Sequence, residues 1–447
     1  MTQSMGNELM KEMPYYKTLK DFSLILKLYP LGSFTPEFMH VFEEYLSDFL
    51  IKNEKHISLE DLTYLLNLLA LTKKRPVKIL RTLSSILMIS LDKDPTLLDP
   101  EYIATTVYSL NKLSYNDVDL YTKICDSLVE LDPPVMMTIK RNTLVSLLTS
   151  LGQGRFLHQP LLDNLVSSVK DTMASRRPLS SSELACILIT LAKLGYRPSA
   201  LNDISRDFII PNVTREQTSS DGVWIDYLWS LAFFNLVDKN HPLMKQVLDP
   251  SSLLVQSIQD KIRDGEVSCR TDLSKIFNIQ AFYGSLQSSQ KKRKSKSKTK
   301  EEVSDCLLEP PSRSQDCISF CKSVTDHLNY FVPKGSHMEL GVKTNMGFNI
   351  DARFVISSDL KALSLEKVSS IPQGYHRINV LTASFRQTLL NHPTRPTGQV
   401  KMAAQLIKEV LGETVVVVTP TPFFSKNDSV QKVSFLQTLI KDAIYQV

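Results

Sequence analysis

The amino-acid sequence predicts a mainly α-helical protein, in which an α-solenoid of paired helices precedes a small C-terminal α/β domain. Two observations predict this fold class. Leucine-rich segments recur about every 40 residues before residue 285, a period typical of stacked helix pairs. After residue 311 the pattern changes to alternating strand segments separated by helical ones, which is typical of a compact α/β unit. We therefore expect a solenoid over 15–285 and an α/β domain over 375–447.

The repeats are clearest in two segments that align without gaps. Residues 109–115 read SLNKLSY and residues 190–196 read TLAKLGY, and each ends an apolar helical pattern. With weaker copies included, the spacings between the leading leucines are 42, 38, 43 and 40 residues, for Leu68, Leu110, Leu148, Leu191 and Leu231. Each repeat predicts a helix, a short polar turn and a second helix.

The second repeat shows the signals for both of its helices. Asp99 and Pro100 form a cap-then-proline start, and apolar residues follow at helical spacing: Ile103, Val107, Leu110 and Leu113. The partner helix carries Leu120, Ile124, Leu128 and Leu131, and two prolines at 133 and 134 end it.

The C-terminal part of the chain has its own order of elements. A linker is predicted over 286–311, because lysines and arginine crowd 291–300 and acids and prolines follow. That basic run is a plain linker, a nonspecific phosphate contact or a nuclear signal. A connecting region is predicted over 312–374. Strands are predicted over 349–356, 376–381 and 415–418, and helices over 400–411 and 430–443.

Composition narrows the class of protein. The 52 Lys and Arg residues against 47 Asp and Glu residues give a net charge of +5, which permits an acidic partner without requiring one. Six scattered cysteines predict a reducing compartment and no disulfide framework. Cys317, Cys321 and His327 lack a second pair of ligands, so no metal site is predicted. No apolar run reaches membrane-spanning length.

The N-terminal segment carries no readable import signal. Transit peptides are rich in arginine and poor in acids, whereas the first arginine here is Arg75 and Glu8 and Glu12 come early. The methionines at 1, 5, 10 and 13 leave open a truncated or alternatively started chain.

Several motifs resemble the FASTK family (Fas-activated serine/threonine kinase-like proteins), whose helical repeats precede a C-terminal RAP domain. The segment 191–196 is similar to the family's repeat, and 347–351 followed by Ser358 and Asp359 is similar to the block before its RAP domain. Within 375–445, the RAP-like residues are Gly398, Lys401, the strand 415–418, Pro420 and Phe423. The chain departs from the pattern with Met-Ala-Ala at 402–404 and with Phe423 in place of tryptophan.

The resemblance implies an RNA-binding protein of the mitochondrial matrix that stabilises or helps to process transcripts. It also implies a degenerate restriction-endonuclease-like fold for the RAP-like domain, and RNA contacts from Lys401 and Phe423. Kinase motifs are absent despite the family name. No cofactor, metal or small-molecule substrate is predicted.

Nuclease activity needs a carboxylate on one strand and, on the next strand, a second carboxylate and a lysine two residues apart. The two carboxylates hold the metal that activates water. Asp351 supplies the first, but the segments 378–384 and 415–418 contain no acid. We therefore predict a binding domain rather than an enzyme, with a metal-dependent RNA endonuclease as the least favoured alternative.

Basic residues recur in the turn inside each repeat, and stacking the repeats would line them along one edge. They are Lys73, Lys74, Arg75, Lys112, Arg155, Lys193, Arg197 and Lys239. Such a stripe can follow a phosphate backbone, or it can simply complement helix dipoles.

Aromatic residues leave similar alternatives. Tyr115 and Tyr196 occupy equivalent repeat positions and either stack on RNA bases or pack. Trp224 and Trp229 are predicted to lie in the core. The leading function is RNA binding, and the alternative is a protein-interaction scaffold whose apolar groove holds a partner.

Overall fold

The structure, a computed structural model, describes residues 3–28, 35–72, 75–93, 99–131, 139–284, 314–365 and 371–445. It is mainly helical, with a small mixed sheet near the C-terminus. The chain divides into two compact units, which are Met1–Thr190 with Pro198–Phe208, and Leu191–Arg197 with Ile209–Val447. The division falls inside the 15–285 segment predicted as one stack. Lys73, Lys74 and the predicted linker 286–311 lie outside the described residues.

The helices before residue 200 follow one another at short intervals. They are α1 (Gln3–Glu12), α2 (Leu19–Leu28), α3 (Pro36–Lys52), α4 (Leu59–Thr72), α5 (Val77–Lys93), α6 (Pro100–Lys112), α7 (Val118–Val129), α8 (Arg141–Gly154), α9 (Gln159–Ser167), α10 (Val169–Ala174) and α11 (Ser181–Leu194). Asp99 caps α6 by accepting from the Glu101 N–H at 2.8 Å, which confirms the predicted start.

Alternate helices of the first unit contact each other in order. Helices α2, α4, α6 and α8 form one series of neighbours, and α3, α5, α7 and α9 form another. Side chains join helices about 40 residues apart: the Thr63 and Thr106 hydroxyls lie 3.0 Å apart, and the Thr190 hydroxyl donates to the Leu148 carbonyl at 3.1 Å. The leucines predicted to lead each repeat are all buried.

One backbone motif ends the helices over Pro100–Lys112, Arg141–Gly154, Ser181–Leu194 and Asp221–Phe233. The N–H of Tyr115, Phe156, Tyr196 and Leu236 donates to the carbonyl five residues earlier, at 2.9–3.0 Å, and the residue before each donor is left-handed: Ser114, Arg155, Gly195 and Asn235. This pattern is the Schellman motif. The accepting leucines are Leu110, Leu151, Leu191 and Leu231, which are 41, 40 and 40 residues apart.

By this helix-end motif Leu151, three residues after the predicted Leu148, corresponds to Leu110 and Leu191. Leu148 and Leu151 are fully buried on one face of α8, because residues three apart share a helix face. Apolar periodicity alone cannot decide which of the two leucines corresponds to Leu110 and Leu191. The position of the helix end decides it.

One turn position allows a simple stability prediction. Ser114 is exposed and adopts a φ of 50°, a conformation that costs a residue with a Cβ about 1–2 kcal/mol. We expect Ser114→Gly to raise the free energy of unfolding by about 0.5–1 kcal/mol, since glycine also loses more backbone entropy. Chemical denaturation checks this, and Gly195→Ala at the equivalent left-handed position should have the opposite sign.

The helices of the second unit come next along the chain. Helical turns over Leu201–Ile204, Ser205–Ile209 and Ile210–Asn212 lead to α12 (Asp221–Phe233), α13 (Pro242–Leu248), α14 (Leu253–Arg263) and α15 (Cys269–Phe282). Trp224 and Trp229 on α12 are 1% and 5% exposed, and their indole N–H groups donate to Gln246 and Asn278 at 3.0 and 3.1 Å. Their predicted core position is confirmed.

The sheet is built from α16 (Gln315–Leu328), β1 (Met338–Lys343), β2 (Asn349–Ser357), β3 (Ala362–Leu363), β4 (Tyr375–Thr382), α17 (Gly398–Val410), β5 (Thr414–Val418), α18 (Pro420–Phe424) and α19 (Ser429–Tyr445). The strand order is β1-β2-β4-β5, and β3 pairs with β2. Strand β4 runs antiparallel to β2 and parallel to β5, so α17 is the crossover between them.

Two apolar layers cover this sheet. Residues of α16 and α19 pack with Phe354, Val380 and Val418 on one face, while Ala403 and Ile407 of α17 pack with Ile350 and Leu381. The three predicted strands and two predicted helices are confirmed within two residues. The predicted boundary at 374/375 falls inside one sheet, because β2 from the predicted connecting region pairs with β4, and β1 pairs with β2.

Helix α16 and strand β1 were not predicted, and β1 offers little local signal. It contains a glycine and two charged residues, and most of its side chains are exposed. No described helix is long and apolar enough to cross a membrane.

Candidate functional site

The predicted basic residues that the structure describes lie at or just after the ends of first helices. In the first unit Arg75 and Lys112 are exposed, and Arg155 is half-buried in the left-handed turn position with φ of 57°. In the second unit Arg197 and Lys239 are exposed and Lys193 is half-buried. Their positions in each repeat agree with the sequence analysis, but their surroundings differ strongly.

Arg75 and Lys112 share a cleft in the first unit. The cleft has a volume of about 630 Å³ and is also lined by Asn67, Leu71 and Tyr108. The Lys112 ammonium lies 5.5 Å from the centroid of the Tyr108 ring, which is within range of a cation–π interaction. One cleft thus combines two cations with a partly exposed aromatic ring.

A second cleft of about 700 Å³ adjoins the first. Its lining includes Lys20, Lys27, Tyr64 and Tyr102, and it shares Asn67 with the Arg75–Lys112 cleft. The Lys27 ammonium lies 5.4 Å from the centroid of the Tyr64 ring. The two clefts together form what we call the α2–α4–α6 groove, in which a lysine lies beside a tyrosine ring twice.

The groove also has anionic and apolar lining residues. Glu60 and Asp61 lie in the second cleft, and burial and Glu60 raise the pKa of Tyr102. Asp61 accepts the Ser58 hydroxyl proton at 2.7 Å and belongs to the N-terminal cap of α4. Leu24 and Leu71 are 59% and 68% exposed, so the groove is not purely electrostatic.

Lys193 has a counter-ion in the second unit. Its ammonium lies 3.0 Å from an Asp226 carboxylate oxygen, and Lys275 pairs with the other oxygen of the same carboxylate. Burial raises the pKa of Asp226, but Lys275 and Lys193 outweigh it and hold the pKa below its usual value. Lys193 is therefore ion-paired with Asp226, although it corresponds to Lys112 in the aligned segments 190–196 and 109–115.

Arg197 and Lys239 lie on the surface of the second unit. The Arg197 guanidinium carbon lies 5.9 Å from the centroid of the Phe234 ring, and Lys239 follows the turn that contains Asn235. Tyr196 is half-buried. In the first unit Tyr115 is half-buried too, and burial together with Asp117 raises its pKa. Both alternatives for these tyrosines, packing and stacking on RNA bases, stay predictions.

Lys401 and Phe423, the two candidates that the resemblance implies, are engaged inside the second unit. The Lys401 ammonium donates to the Gly195 carbonyl at 2.8 Å, in the turn that follows α11. Burial and Arg395 lower its pKa. Phe423 is fully buried, with its ring 5.7 Å from that of Phe320 and 5.4 Å from that of His327. We therefore leave both residues out of the candidate interface.

Asp351 lies near the start of β2, where Thr382 engages its carboxylate. The residue is 4% exposed, and its carboxylate accepts from the Thr382 N–H at 2.6 Å and the Thr382 hydroxyl at 2.8 Å. Within the described ranges, no three or more His, Cys, Asp or Glu residues are grouped so as to hold a metal ion. The cavity beside Asp351 has a volume of about 70 Å³, enough for only a few water molecules.

Sequence reasoning missed half of the α2–α4–α6 groove. Tyr108 and Lys112 are four residues apart on α6, so their shared face is readable from the sequence. The contact of Lys27 with Tyr64 joins two helices, and no local pattern predicts it. Comparison of the chain with models of known protein families and with curated proteins gives no match.

Proposed function

We propose that the protein binds single-stranded RNA in the α2–α4–α6 groove and that it acts by binding rather than by catalysis. The observation that carries this proposal is the pairing of Lys27 with Tyr64 and of Lys112 with Tyr108 in adjoining clefts. Proteins that bind single strands combine cations along the backbone with aromatic rings on which bases stack.

The charge of the groove supports an anionic ligand. Lys20, Lys27, Arg75 and Lys112 face it against Glu60 and Asp61. Asp61 is engaged in the cap of α4 through Ser58. Most of the attraction for phosphate therefore comes from Arg75 and Lys112, in a cleft whose described lining contains no acid.

The proposed function includes a repeat architecture. We propose that the helix pairs form an α-solenoid, supported by the series of neighbouring alternate helices and by the helix ends 41, 40 and 40 residues apart. We also propose that the C-terminal sheet belongs to a RAP-like, restriction-endonuclease-like domain, supported by its antiparallel β1-β2-β4 order and the crossover to parallel β5.

We also propose that the protein is a member of the FASTK family and acts on mitochondrial transcripts, supported by the resemblance of 191–196 and 347–351. Location in the mitochondrial matrix is part of this proposal. Crosslinking of the tagged protein to RNA in cells tests it, and the expected result is recovery of discrete mitochondrial transcripts. Recovery of cytosolic RNA alone would contradict the proposed location and leave RNA binding intact.

A protein-interaction scaffold is the second candidate, and one observation favours it. Leu24 and Leu71 are among the more exposed apolar side chains and both line the groove, as in grooves that hold a partner helix. The double variant Arg75→Ala with Lys112→Ala separates the two functions, because removing two cations weakens binding of RNA far more than binding of an apolar helix.

We expect Arg75→Ala with Lys112→Ala to weaken binding of a single-stranded RNA about tenfold or more at moderate salt. Each lost phosphate contact on a single strand lowers the slope of log K against log salt by about 0.7, so the slope should fall by about 1.4. Fluorescence anisotropy of a labelled 20-nucleotide RNA, measured across a salt series, gives both quantities.

The matched control is Lys170→Ala with Arg176→Ala. These exposed cations belong to the same unit and line neither cleft. Their replacement removes the same net charge as the Arg75/Lys112 variant. RNA affinity should stay close to that of the unmodified protein. An equal loss in both double variants would show that only net charge matters, and no binding by the unmodified chain would reject the proposed function.

A further inference from the structure

Two phenylalanine rings lie together on the surface of the C-terminal α/β region. Phe385 and Phe424 are 56% and 48% exposed. Their ring centroids are 6.3 Å apart and their planes differ by 11°. Single exposed aromatic rings are normal on a protein surface, but neighbouring ones form a contiguous apolar patch of the kind that marks a binding site. This pair belongs neither to the sheet's core nor to the α2–α4–α6 groove.

Buried residues of α18 support Phe424. Pro420 and Phe423 of this short helix are buried, and the Phe423 ring lies 5.4 Å from the Phe424 ring at 77°. Phe320 of α16 lies 5.5 Å from the Phe424 ring on another side. The exposed ring is therefore held by two buried aromatic rings, which reduces the entropy lost when a ligand stacks on it.

A tight turn holds Phe385. Residues Phe385–Gln387 form a 3₁₀ turn in which Ser384 and Gln387 make a capping box. The Gln387 carbonyl accepts from the Thr397 N–H at 2.8 Å, so the turn is tied to the segment that begins α17. Both rings thus sit on supports that are fixed by packing and hydrogen bonds.

The charge around the pair is positive. The Lys432 ammonium lies 5.7 Å from the centroid of the Phe424 ring and 5.3 Å from that of the Phe423 ring. The segments 385–387 and 424–432 contain the cations Arg386, Lys426 and Lys432 and one anion, Asp428. Ring faces beside cations suit a base that carries a phosphate, and an apolar peptide gains nothing from the cations.

We propose that Phe385 and Phe424 form a stacking platform for an exposed base of single-stranded RNA, with Lys432 and Arg386 next to its phosphates. This inference rests on the proposed function and adds a second contact surface to it. It also changes which residue of the 420–424 helix meets RNA: Phe423 supports the platform from inside, and Phe424 forms its surface.

The test uses the full chain and a single-stranded 20-nucleotide oligouridylate that carries fluorescein and one 4-thiouridine. Loss of one stacked base costs about 1–3 kcal/mol, so we expect Phe385→Ala with Phe424→Ala to weaken binding about five- to a hundredfold. Tyrosine at both positions should restore most of the affinity. Photocrosslinks mapped by mass spectrometry should fall within 385–387 or 420–426.

The control is Tyr330→Ala with Tyr445→Ala, which removes two aromatic rings that are more exposed than the phenylalanines, at 72% and 75%. Its affinity should not change. The inference is wrong if the Phe385/Phe424 variant binds normally and no crosslink maps to these segments while the Arg75/Lys112 variant binds weakly. That outcome would not affect the proposed function, whereas failure of the unmodified chain to bind the RNA would reject both the proposed function and the stacking platform.

Discussion

Replacing Gly398 by alanine is expected to lower the free energy of unfolding of the second unit by about 3 kcal/mol or more. A Cβ at this position would overlap the Ala192 carbonyl oxygen and lie 2.9 Å from the carbonyl carbon. Gly398 begins α17, and Ala192 lies in the last turn of α11. The clash is with backbone atoms of a helix, which cannot move aside as the end of a flexible side chain can. Overpacking of this kind costs about 1–3 kcal/mol and sometimes more.

Tryptophan fluorescence measures this change directly, because both tryptophans of the chain lie on α12 in the second unit. Gly152→Ala is the matched control. A Cβ there meets Thr190 at 3.6 Å, an ordinary contact, and alanine favours a helix over glycine by about 1 kcal/mol. Circular dichroism should show no loss of stability in this control. Equal stability of Gly398→Ala and the unmodified protein would contradict the close approach of Gly398 to Ala192.

Replacing Asp226 by asparagine is expected to lower the free energy of unfolding by about 2–4 kcal/mol at pH 7. The change leaves the ammonium groups of Lys193 and Lys275 side by side without their shared carboxylate. Removing one partner of a buried ion pair costs about 3–5 kcal/mol, and the partial exposure of Lys193, 40%, reduces this figure. Denaturation followed by tryptophan fluorescence gives the value.

The effect of Asp226 should also depend on pH with a definite sign. Its pKa is lower in the folded protein than the ordinary value, which is about 3.9 in an unfolded chain. The stabilisation is therefore complete above pH about 4 and is lost as pH falls through the lower folded-state pKa. The difference in the free energy of unfolding between the D226N variant and the unmodified protein should shrink below pH about 4.

An exposed ion pair provides the comparison for this prediction. Asp203 pairs with Arg206 at 3.1 Å, and both side chains are mostly exposed. Asp203→Asn should change stability little, because water and salt screen such pairs. If both aspartate substitutions had the same small effect, the Lys193–Asp226–Lys275 cluster would contribute no more than a surface pair, and Lys193 would return to the set of candidate RNA contacts.

Part of the candidate site was predictable from the sequence, and the structure explains the limit. Arg75 lies just after the end of α4, Lys112 is the last residue of α6, and both line the groove. Lys193 stands at the same repeat position as Lys112, yet Asp226 neutralises it. A repeat pattern predicts where a side chain leaves its helix, but the counter-ion comes from another helix and follows no period.

The sequence by itself determined the local structure: where α6 begins, which leucines are buried, and where the strands 349–356, 376–381 and 415–418 lie. Capping residues and apolar periodicity act within a few residues, so they are readable in one dimension. Only the tertiary structure decided that β1 joins the sheet, that Lys401 bonds a turn carbonyl 206 residues away, and that Phe424 rather than Phe423 faces solvent. These outcomes depend on contacts between distant segments, whose energies no local pattern records.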